Sequence, residues 1–415
     1  MLMRTQRIIK ITLSGLIVAA GIWFGSSSEF YNAALISAFF AFALSSVCII
    51  HLRLFPTLLD LTAMLGGTAL FPLLDFRFLH YPPRLMAWFS FLGLSSFIVL
   101  ALRLVWAPAG KRRFAFLAFV PSLLFVSSDW FASTFLAWTE KAHPRVLDLY
   151  LYAFDASLRV QLPFLLGQAF QTSHWLKTVS ILVYISLPIP IAIVYSGHLL
   201  RRESRAISAM LAFLVTGPIG IVFYNIFPAM GPAHIFRMEF PRYPLSFETV
   251  QRILLQAIPV AGPRNAIPSL HMGWMLLAWW FSRGLTAIER GIVAFFVIFT
   301  VCGTMGTGEH YFIDLIVAFP FALLIESICS YGVPRRSSAR IASGSTGLAM
   351  ILLWFAALRF ALKAFLASPF LGWIACAITI GLCIYLERAL ASTDRAPTPA
   401  TAPETNPAKV QAAAD

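Results

Sequence analysis

Charged residues are scarce in this chain of 415 residues: they make up 12% of the sequence, against 59% hydrophobic residues, and the mean hydropathy is +0.79. Average soluble domains carry about 25% charged residues. The shortage of charge therefore excludes a large domain outside the membrane. Because a helix that spans a bilayer needs roughly 20 apolar residues, the composition predicts an all-α fold, a polytopic membrane helix bundle.

Motifs for metal, nucleotide and redox chemistry are missing as well. The five cysteines lie in apolar stretches without zinc-ligand or redox spacing. The sequence has no His-Glu-x-x-His motif, no paired Asp-x-Asp and no glycine-rich nucleotide loop, so we expect no cofactor and no metal. The excess of 31 basic over 18 acidic side chains falls between apolar blocks, as in cytoplasmic loops of membrane proteins, and we expect no nucleic-acid partner.

Apolar runs predict about twelve transmembrane helices, two of them short. They cover residues 8–25, 30–50, 54–74, 85–107, 114–138, 176–200, 206–227, 268–281, 291–306, 311–331, 346–366 and 370–386. We divide the chain into N-terminal helices of unknown role (1–113), a catalytic membrane core (114–332), a C-terminal helix pair (333–390) and a disordered tail (391–415). A mixed apolar and charged pattern predicts an interfacial helix at about 144–170.

Arginine-rich loops alternate with longer, less basic connections. The basic loops fall on one side together with both termini, which predicts that this side is cytoplasmic. The long connections 140–175 and 228–267 then face the periplasm or a lumen. We expect an integral membrane protein of a bacterial inner membrane, whose first apolar run is a retained anchor.

Two histidines, His271 and His310, lie at the outer ends of predicted spans. His310 and Asp314 are four positions apart, which on a helix places them on one face. There the Asp314 carboxylate would accept the Nδ1 proton and leave Nε2 free as a nucleophile. An ionisable pair in an apolar span favours a functional role; the alternative is a structural ion pair that caps a helix.

A phosphate-binding site is predicted just before His271. Pro268 suits the first position of a helix, and the N–H groups that follow would bind an anion together with the Ser269 hydroxyl and the Arg264 guanidinium. Asn265, beside Arg264, belongs to the same predicted substrate-binding group. The alternative for Pro268 and Ser269 is ordinary helix capping without a ligand.

The motif Pro-Ser-Leu-His, followed 39 positions after its histidine by His-x-x-x-Asp, resembles the type 2 phosphatidic acid phosphatase superfamily. The resemblance runs from about residue 114 to residue 331 and implies a six-helix phosphatase-type catalytic core. It implies a metal-independent reaction through a phosphohistidine intermediate. In that reaction His310 would be the nucleophile, Asp314 its orienting partner and His271 the acid that protonates the departing alcohol.

The sequence departs from the lipid phosphatases of that superfamily at three places. Leu270 replaces the glycine of Pro-Ser-Gly-His, Gly303-Thr304 stands where Ser-Arg is found, and the earlier Lys-x6-Arg-Pro signature is missing. The segment 224–232, Tyr-x-x-x-Pro-x-x-Gly-Pro, is instead similar to the inositol phosphorylceramide synthase branch. That branch implies a phospholipid donor and a lipid alcohol acceptor, and fewer fixed cations suit a phosphodiester, which carries one charge.

Three further residues complete the predicted substrate-binding group. Tyr224 belongs to the upstream segment, and Tyr311 lies next to the proposed nucleophile, where aromatic packing at the membrane interface is the alternative. Asp129 is a carboxylate within a predicted span. It either reaches the catalytic cavity or is a hydrogen-bonded structural acid.

Two other functions stay open at this stage. A lipid phosphate phosphatase would hydrolyse phosphatidic acid or an isoprenoid phosphate, with water as the acceptor. A transporter would agree with a count of twelve helices, but transporters commonly contain internal repeats and midplane binding sites, and we find no convincing repeat. The sequence does not indicate the oligomeric state.

Overall fold

The computed structural model of the chain describes residues 2–27, 30, 38–54, 56–74 and 85–395, and within them the side chains of all but 2, 3, 74, 126, 128–133 and 395. The fold is an all-α bundle, as predicted. Two short strands, β1 (Arg145–Val146) and β2 (Ile258–Pro259), pair antiparallel. The α-helices are α1 (Leu2–Gly25), α2 (Ala38–Arg53), α3 (Leu58–Leu74), α4 (Leu85–Trp106), α5 (Ala109–Ala142), α6 (Asp148–Ser157), α7 (Leu162–Thr172), α8 (His174–Ile185), α9 (Pro188–Leu199), α10 (Glu203–Ile226), α11 (Pro232–Phe236), α12 (Phe247–Arg252), α13 (Leu270–Phe281), α14 (Ala287–Gly306), α15 (Phe312–Cys329), α16 (Ser338–Phe360), α17 (Leu362–Ala367) and α18 (Pro369–Arg395).

The chain is an integral membrane protein. Among the described residues, seven helices are long and apolar enough to cross a membrane, and α8 and α9, which are bent by 53°, would add an eighth as one broken span. The predicted count of about twelve is not confirmed. Helix α13, for example, has 12 residues, about 18 Å at 1.5 Å per residue, which is less than the ~30 Å of a hydrocarbon core.

Helix α15 forms the centre of the bundle. Most of its residues are buried, including the acidic residues near its two ends, Asp314 and Glu326. It packs against α10, α13, α16 and α18. A helix that is apolar all round belongs in a protein core or in a membrane. Helices α13 and α15 begin side by side, because the Ser269 N–H donates to the Asp314 carbonyl oxygen at 3.1 Å.

The segment predicted as one interfacial helix at 144–170 forms two helices, α6 and α7. Helix α6 lies between the core and the C-terminal helices, since it contacts α15 as well as α16, α17 and α18. Helix α18 continues to Arg395, so the first residues of the predicted tail are helical. Residues 396–415, the rest of that tail, lie outside the described part of the chain, as do residues 28–29, 31–37 and 75–84.

Candidate active site

His310 lies in the turn between α14 and α15 and is 1% exposed. Its Nδ1 is 2.9 Å from the carbonyl oxygen of Ala266. Because a carbonyl oxygen can only accept, this contact assigns the proton to Nδ1 and the lone pair to Nε2. Nε2 is buried and has no hydrogen-bond partner among the residues that the structure describes. The main chain therefore orients the imidazole through Nδ1, and Nε2 on the other side of the ring has no partner in the described part of the chain.

Asp314 lies close to His310, but not through a shared helix face. Helix α15 begins at Phe312, so His310 precedes the helix and the expected placement four positions apart on one helix is wrong. The Asp314 Oδ2 accepts from the Tyr311 N–H at 2.7 Å and lies 3.5 Å from His310 Nδ1. A carboxylate in the first turn is drawn to the free N–H groups of its own helix end. Asp314 is thus a second, longer acceptor for Nδ1, behind the Ala266 carbonyl.

His271, on the first turn of α13, faces the same space. Its ring stacks on Tyr184 with a centroid distance of 4.0 Å and an interplanar angle of 17°, and Trp274 contacts it edge-on at 5.9 Å. The centroids of the His271 and His310 rings are 6.1 Å apart, about twice the ~3–3.5 Å between reacting atoms. The structure thus brings three residues together: His271 from the first turn of α13, His310 from the turn before α15, and Asp314 from the first turn of α15.

Ser269 is the N-cap residue of α13. Its side chain accepts from the Met272 N–H at 3.4 Å, and it is fully buried. Pro268 was expected at the first helical position but lies one residue before the cap, because the helix begins at Leu270. The Ser269 hydroxyl therefore has the capping role that was the alternative to phosphate binding. The first N–H groups of α13 have no partner within the helix.

Arg264 was expected to bind phosphate, but its guanidinium binds main-chain carbonyl oxygens instead. The side chain is fully buried, and its guanidinium donates to three carbonyl oxygens, those of His143 at 2.7 Å, Val260 at 2.8 Å and Gly262. Carbonyl oxygens satisfy a desolvated guanidinium when it cannot reach a carboxylate. Arg264 therefore stabilises the loop that ends at Ala266. The carbonyl of Ala266 in turn orients His310.

The other predicted substrate-binding residues are placed as follows. Asn265 is half-buried, and within the described part of the chain its buried Oδ1 has no partner. Tyr311 is buried with its hydroxyl near Asp148. Tyr224 is buried at the end of α10, with its hydroxyl near the main chain at the start of α13. The side chain of Asp129 lies outside the described residues.

The pair Gly303-Thr304 has structural reasons for its composition. A Cβ on Gly303 would lie 2.9 Å from the Ser180 carbonyl oxygen, so α14 approaches α8 too closely for a side chain at this position. The Thr304 carbonyl oxygen accepts the His310 N–H at 3.2 Å. The two residues thus pack α14 and hold the main chain of His310.

Sequence reasoning missed an ion pair beside His310. The Glu309 Oε2 and the His234 Nε2 are 3.5 Å apart, with side chains 30% and 31% exposed. The hydrogen bond to Glu309 raises the pKa of His234. Burial pushes the pKa of Glu309 up, but the hydrogen bond and charge of His234 outweigh it, and the pKa falls below its ordinary value. The sequence signal was an acidic residue directly before the motif histidine; its partner lies 75 positions away.

The stability that this ion pair contributes should depend on pH. The contribution of His234 is full below its ordinary pKa of 6.5 and is lost as the pH rises through the raised value. The contribution of Glu309 is present above its ordinary pKa of 4.5 and is lost as the pH falls through the lowered value. The difference in melting temperature between the wild type and His234→Gln should therefore be largest between pH 4.5 and pH 6.5. If this difference in melting temperature instead increased in alkaline buffer, the ion pair would not be the source of the stability.

Gly231 brings the upstream segment, residues 224–232, against the loop that carries His310. It has a φ of +119°, and a Cβ there would lie 2.3 Å from the Glu309 carbonyl oxygen. The Gly231 N–H donates to the Asp148 Oδ1 at 2.8 Å. Burial raises the pKa of Asp148 to about 7, although the N–H groups of Gly231 and Met230 oppose the shift.

Gly231→Ala should lower the free energy of unfolding by about 1–3 kcal/mol, because alanine is strained at this φ, and should also reduce turnover, because its methyl group displaces the main chain of Glu309. Thermal unfolding in detergent and a turnover assay measure the two effects. Gly217→Ala is the matched control, since nothing lies within 4 Å of the added Cβ in α10. Wild-type stability and turnover in Gly231→Ala would show that the close contact is not needed.

A family model described as PAP2 superfamily matches residues 149–328 of the chain. This stretch, referred to as the PAP2 domain, is similar to that superfamily and covers less than half of the chain. The match includes His271, His310 and Asp314 and confirms the resemblance at superfamily level. The match supports phosphatase or phosphotransferase activity, while the finer resemblance to the inositol phosphorylceramide synthase branch stays a prediction. No curated protein matches the chain significantly, and no solved structure does.

Proposed function

We propose that the PAP2 domain transfers the phosphate-linked headgroup of a phospholipid to a lipid alcohol, at the non-cytoplasmic face of the membrane. The observation that carries the proposal is the unsatisfied Nε2 of His310 in the described structure, with the His271 ring 6.1 Å away across the same space. One imidazole suits a nucleophile and the other suits a general acid and base. Arginine-rich loops at the opposite ends of the spans support the choice of face.

In the first half of the reaction, the lone pair of His310 Nε2 attacks the phosphorus of the donor lipid. The bond from phosphorus to the diacylglycerol oxygen breaks, and protonated His271 gives its proton to that oxygen. Diacylglycerol leaves, and the headgroup phosphate stays on His310. The Ala266 carbonyl and the Asp314 carboxylate stabilise the positive charge that forms on the imidazole, because the carbonyl accepts from Nδ1 and the carboxylate lies 3.5 Å from it.

In the second half, the acceptor hydroxyl gives its proton to the neutral His271 and its oxygen attacks the phosphorus. The bond from phosphorus to His310 Nε2 breaks, which regenerates the nucleophile. The product is a new phospholipid that carries the original headgroup. Water in place of the lipid alcohol would make the same reaction a hydrolysis.

A phosphodiester donor is favoured by the charges around the site. The Arg264 guanidinium, the cation expected at the phosphate, is taken up by carbonyl oxygens, and the Glu309 carboxylate lies next to His310. A phosphomonoester carries nearly two negative charges at neutral pH, and a carboxylate nearby disfavours it more than it disfavours a singly charged diester.

Purified protein in mixed micelles tests the proposal. The donor is a phospholipid with a labelled headgroup, offered with and without ceramide or an isotopically distinct diacylglycerol. We expect a new headgroup-bearing lipid only when the acceptor is present, and none from His310→Gln. Release of inorganic phosphate from phosphatidic acid, faster than any transfer, would instead identify a lipid phosphate phosphatase.

A further inference from the structure

Two buried aspartates of α6 have no part in the chemistry described above. Asp148 and Asp155 are seven positions apart, two helical turns, and so lie on the same face of the helix. Their exposed fractions are 0% and 2%. Burying a carboxylate is unfavourable unless hydrogen bonds replace its hydration, so the groups that these two carboxylates bind are informative.

Asp155 binds the start of the helix that follows the nucleophile. Its Oδ2 accepts from the Phe312 N–H at 2.7 Å, and its Oδ1 accepts from the Ile313 N–H at 3.2 Å. These N–H groups lie in the first turn of α15 and have no partner within the helix. A carboxylate is favoured there by the positive end of the helix dipole. The contact fixes the chain two residues after His310.

Asp148 acts on the other side of His310, through the upstream segment. It accepts from the N–H groups of Met230, at 3.1 Å to Oδ2, and of Gly231, at 2.8 Å to Oδ1. This segment contacts the nucleophile loop directly, since the Ala233 N–H donates to the Gly308 carbonyl oxygen at 2.9 Å. Asp148 thereby supports the chain two residues before His310.

We propose that Asp148 and Asp155 form an aspartate clamp, a pair of positioning residues that hold the nucleophile loop on both sides of His310. The inference rests on the proposed function, because it assigns the clamp to the step in which His310 attacks. Neither carboxylate is assigned a contact with the donor or the acceptor. The clamp acts through four main-chain N–H groups, those of Met230, Gly231, Phe312 and Ile313.

The C-terminal helices also pack against α6, the helix that carries the clamp. Phe154, which is fully buried, packs edge-on against Trp354 of α16 at 5.4 Å and Phe365 of α17 at 5.1 Å. The Trp373 Nε1 of α18 donates to the Leu158 carbonyl oxygen at 3.3 Å. The helices beyond the PAP2 domain thus have a defined role, which is to hold α6 against the site.

The test compares kcat and KM of headgroup transfer in Asp155→Asn and Asp148→Asn with the wild type. A displacement of a nucleophile by about 1 Å can lower a rate about 100-fold. We expect kcat to fall about 10- to 100-fold per folded protein, while KM for the donor changes less than about twofold, because substrate contacts remain. A residue that acts only on stability would lower the amount of folded protein and leave kcat unchanged.

Asp60→Asn is the matched control. Asp60 also caps a helix, since it accepts from the Thr57 N–H at 2.6 Å near the start of α3, and it pairs with Arg103 of α4. Its contacts are confined to the N-terminal helices, so its removal should change the melting temperature and leave kcat at the wild-type value. If Asp155→Asn does not fold, Asp155→Glu keeps the charge and shifts the carboxylate by one methylene; we expect a smaller loss of kcat at unchanged KM.

Wild-type kcat in folded Asp155→Asn, or in folded Asp155→Glu, would overturn the clamp, as would a rise in KM alone. Failure of the proposed function gives a different result: the wild type would hydrolyse phosphatidic acid and transfer no headgroup. The donor would then be wrong, but the clamp could still be tested. Because the clamp acts on His310 whatever the donor, kcat and KM of the variants would be compared on phosphatidic acid.

Discussion

Replacing His310 with glutamine should lower kcat for headgroup transfer by roughly three orders of magnitude or more. Removal of a nucleophile eliminates the covalent route, and comparable losses accompany such changes in other enzymes. Glutamine is close to histidine in size and retains a side-chain N–H for the Ala266 carbonyl, so the fold should persist. A radiometric transfer assay on protein of verified melting temperature measures the effect.

His174→Gln is the control for this substitution. His174 is exposed at the start of α8 and has no place in the reaction, so its replacement should leave kcat unchanged. If His310→Gln were to keep more than about a tenth of wild-type turnover, which corresponds to about 1.4 kcal/mol of transition-state stabilisation, the nucleophile would have to be another group.

The effect of His271→Gln should depend on the leaving group. A general acid typically contributes about 10²- to 10⁴-fold, and it is needed most when the departing oxygen is a poorly stabilised alkoxide. We therefore expect a loss in that range with a diacylglycerol-based donor. With a nitrophenyl phosphodiester the loss should be much smaller, because the nitrophenolate departs without a proton.

The ratio of the two losses is the informative quantity. His310→Gln should be inactive with both donors, since the nucleophile is required in each case. Equal losses for both donors in His271→Gln would contradict proton donation by His271. The stacked Tyr184 ring, 4.0 Å from His271, makes a packing role the natural reinterpretation of that result.

The sequence predicted three motif residues that the structure places close together, but it did not predict their hydrogen-bond partners. His271, His310 and Asp314 carry their chemistry in their side chains, and their spacing matched a known motif. The principal acceptor for His310 is a main-chain carbonyl, that of Ala266, which any residue could supply. A pattern of residue types therefore could not distinguish it from the Asp314 carboxylate.

Arg264 and Glu309 show the same limit for charged residues. A guanidinium next to a phosphate motif predicts an anion ligand, but whether its N–H groups point to the ligand or to loop carbonyls depends on the path of the loop. The Glu309 and His234 pair joins segments 75 positions apart, and no periodic pattern links them. Tertiary packing decides both cases.

The number of spans is a prediction of the fold that the structure does not confirm. Hydropathy measures how apolar a segment is, and buried helices of a bundle core are as apolar as helices that face lipid. Helix α13 is a case in point, since 12 residues suffice to fill the core beside α15 but fall short of a bilayer. Length, rather than composition, separates the two environments.

Trapping of the covalent intermediate tests the central claim most directly. Wild-type protein is mixed with a donor labelled in its headgroup phosphate, in the absence of any acceptor, and is quenched in alkali, in which phosphohistidine survives better than in acid. We predict label on the protein that is lost in acid, maps to the peptide containing His310 and disappears on addition of a lipid alcohol. Label that remains in His310→Gln, or transfer by the wild type without any labelled protein, would contradict the account.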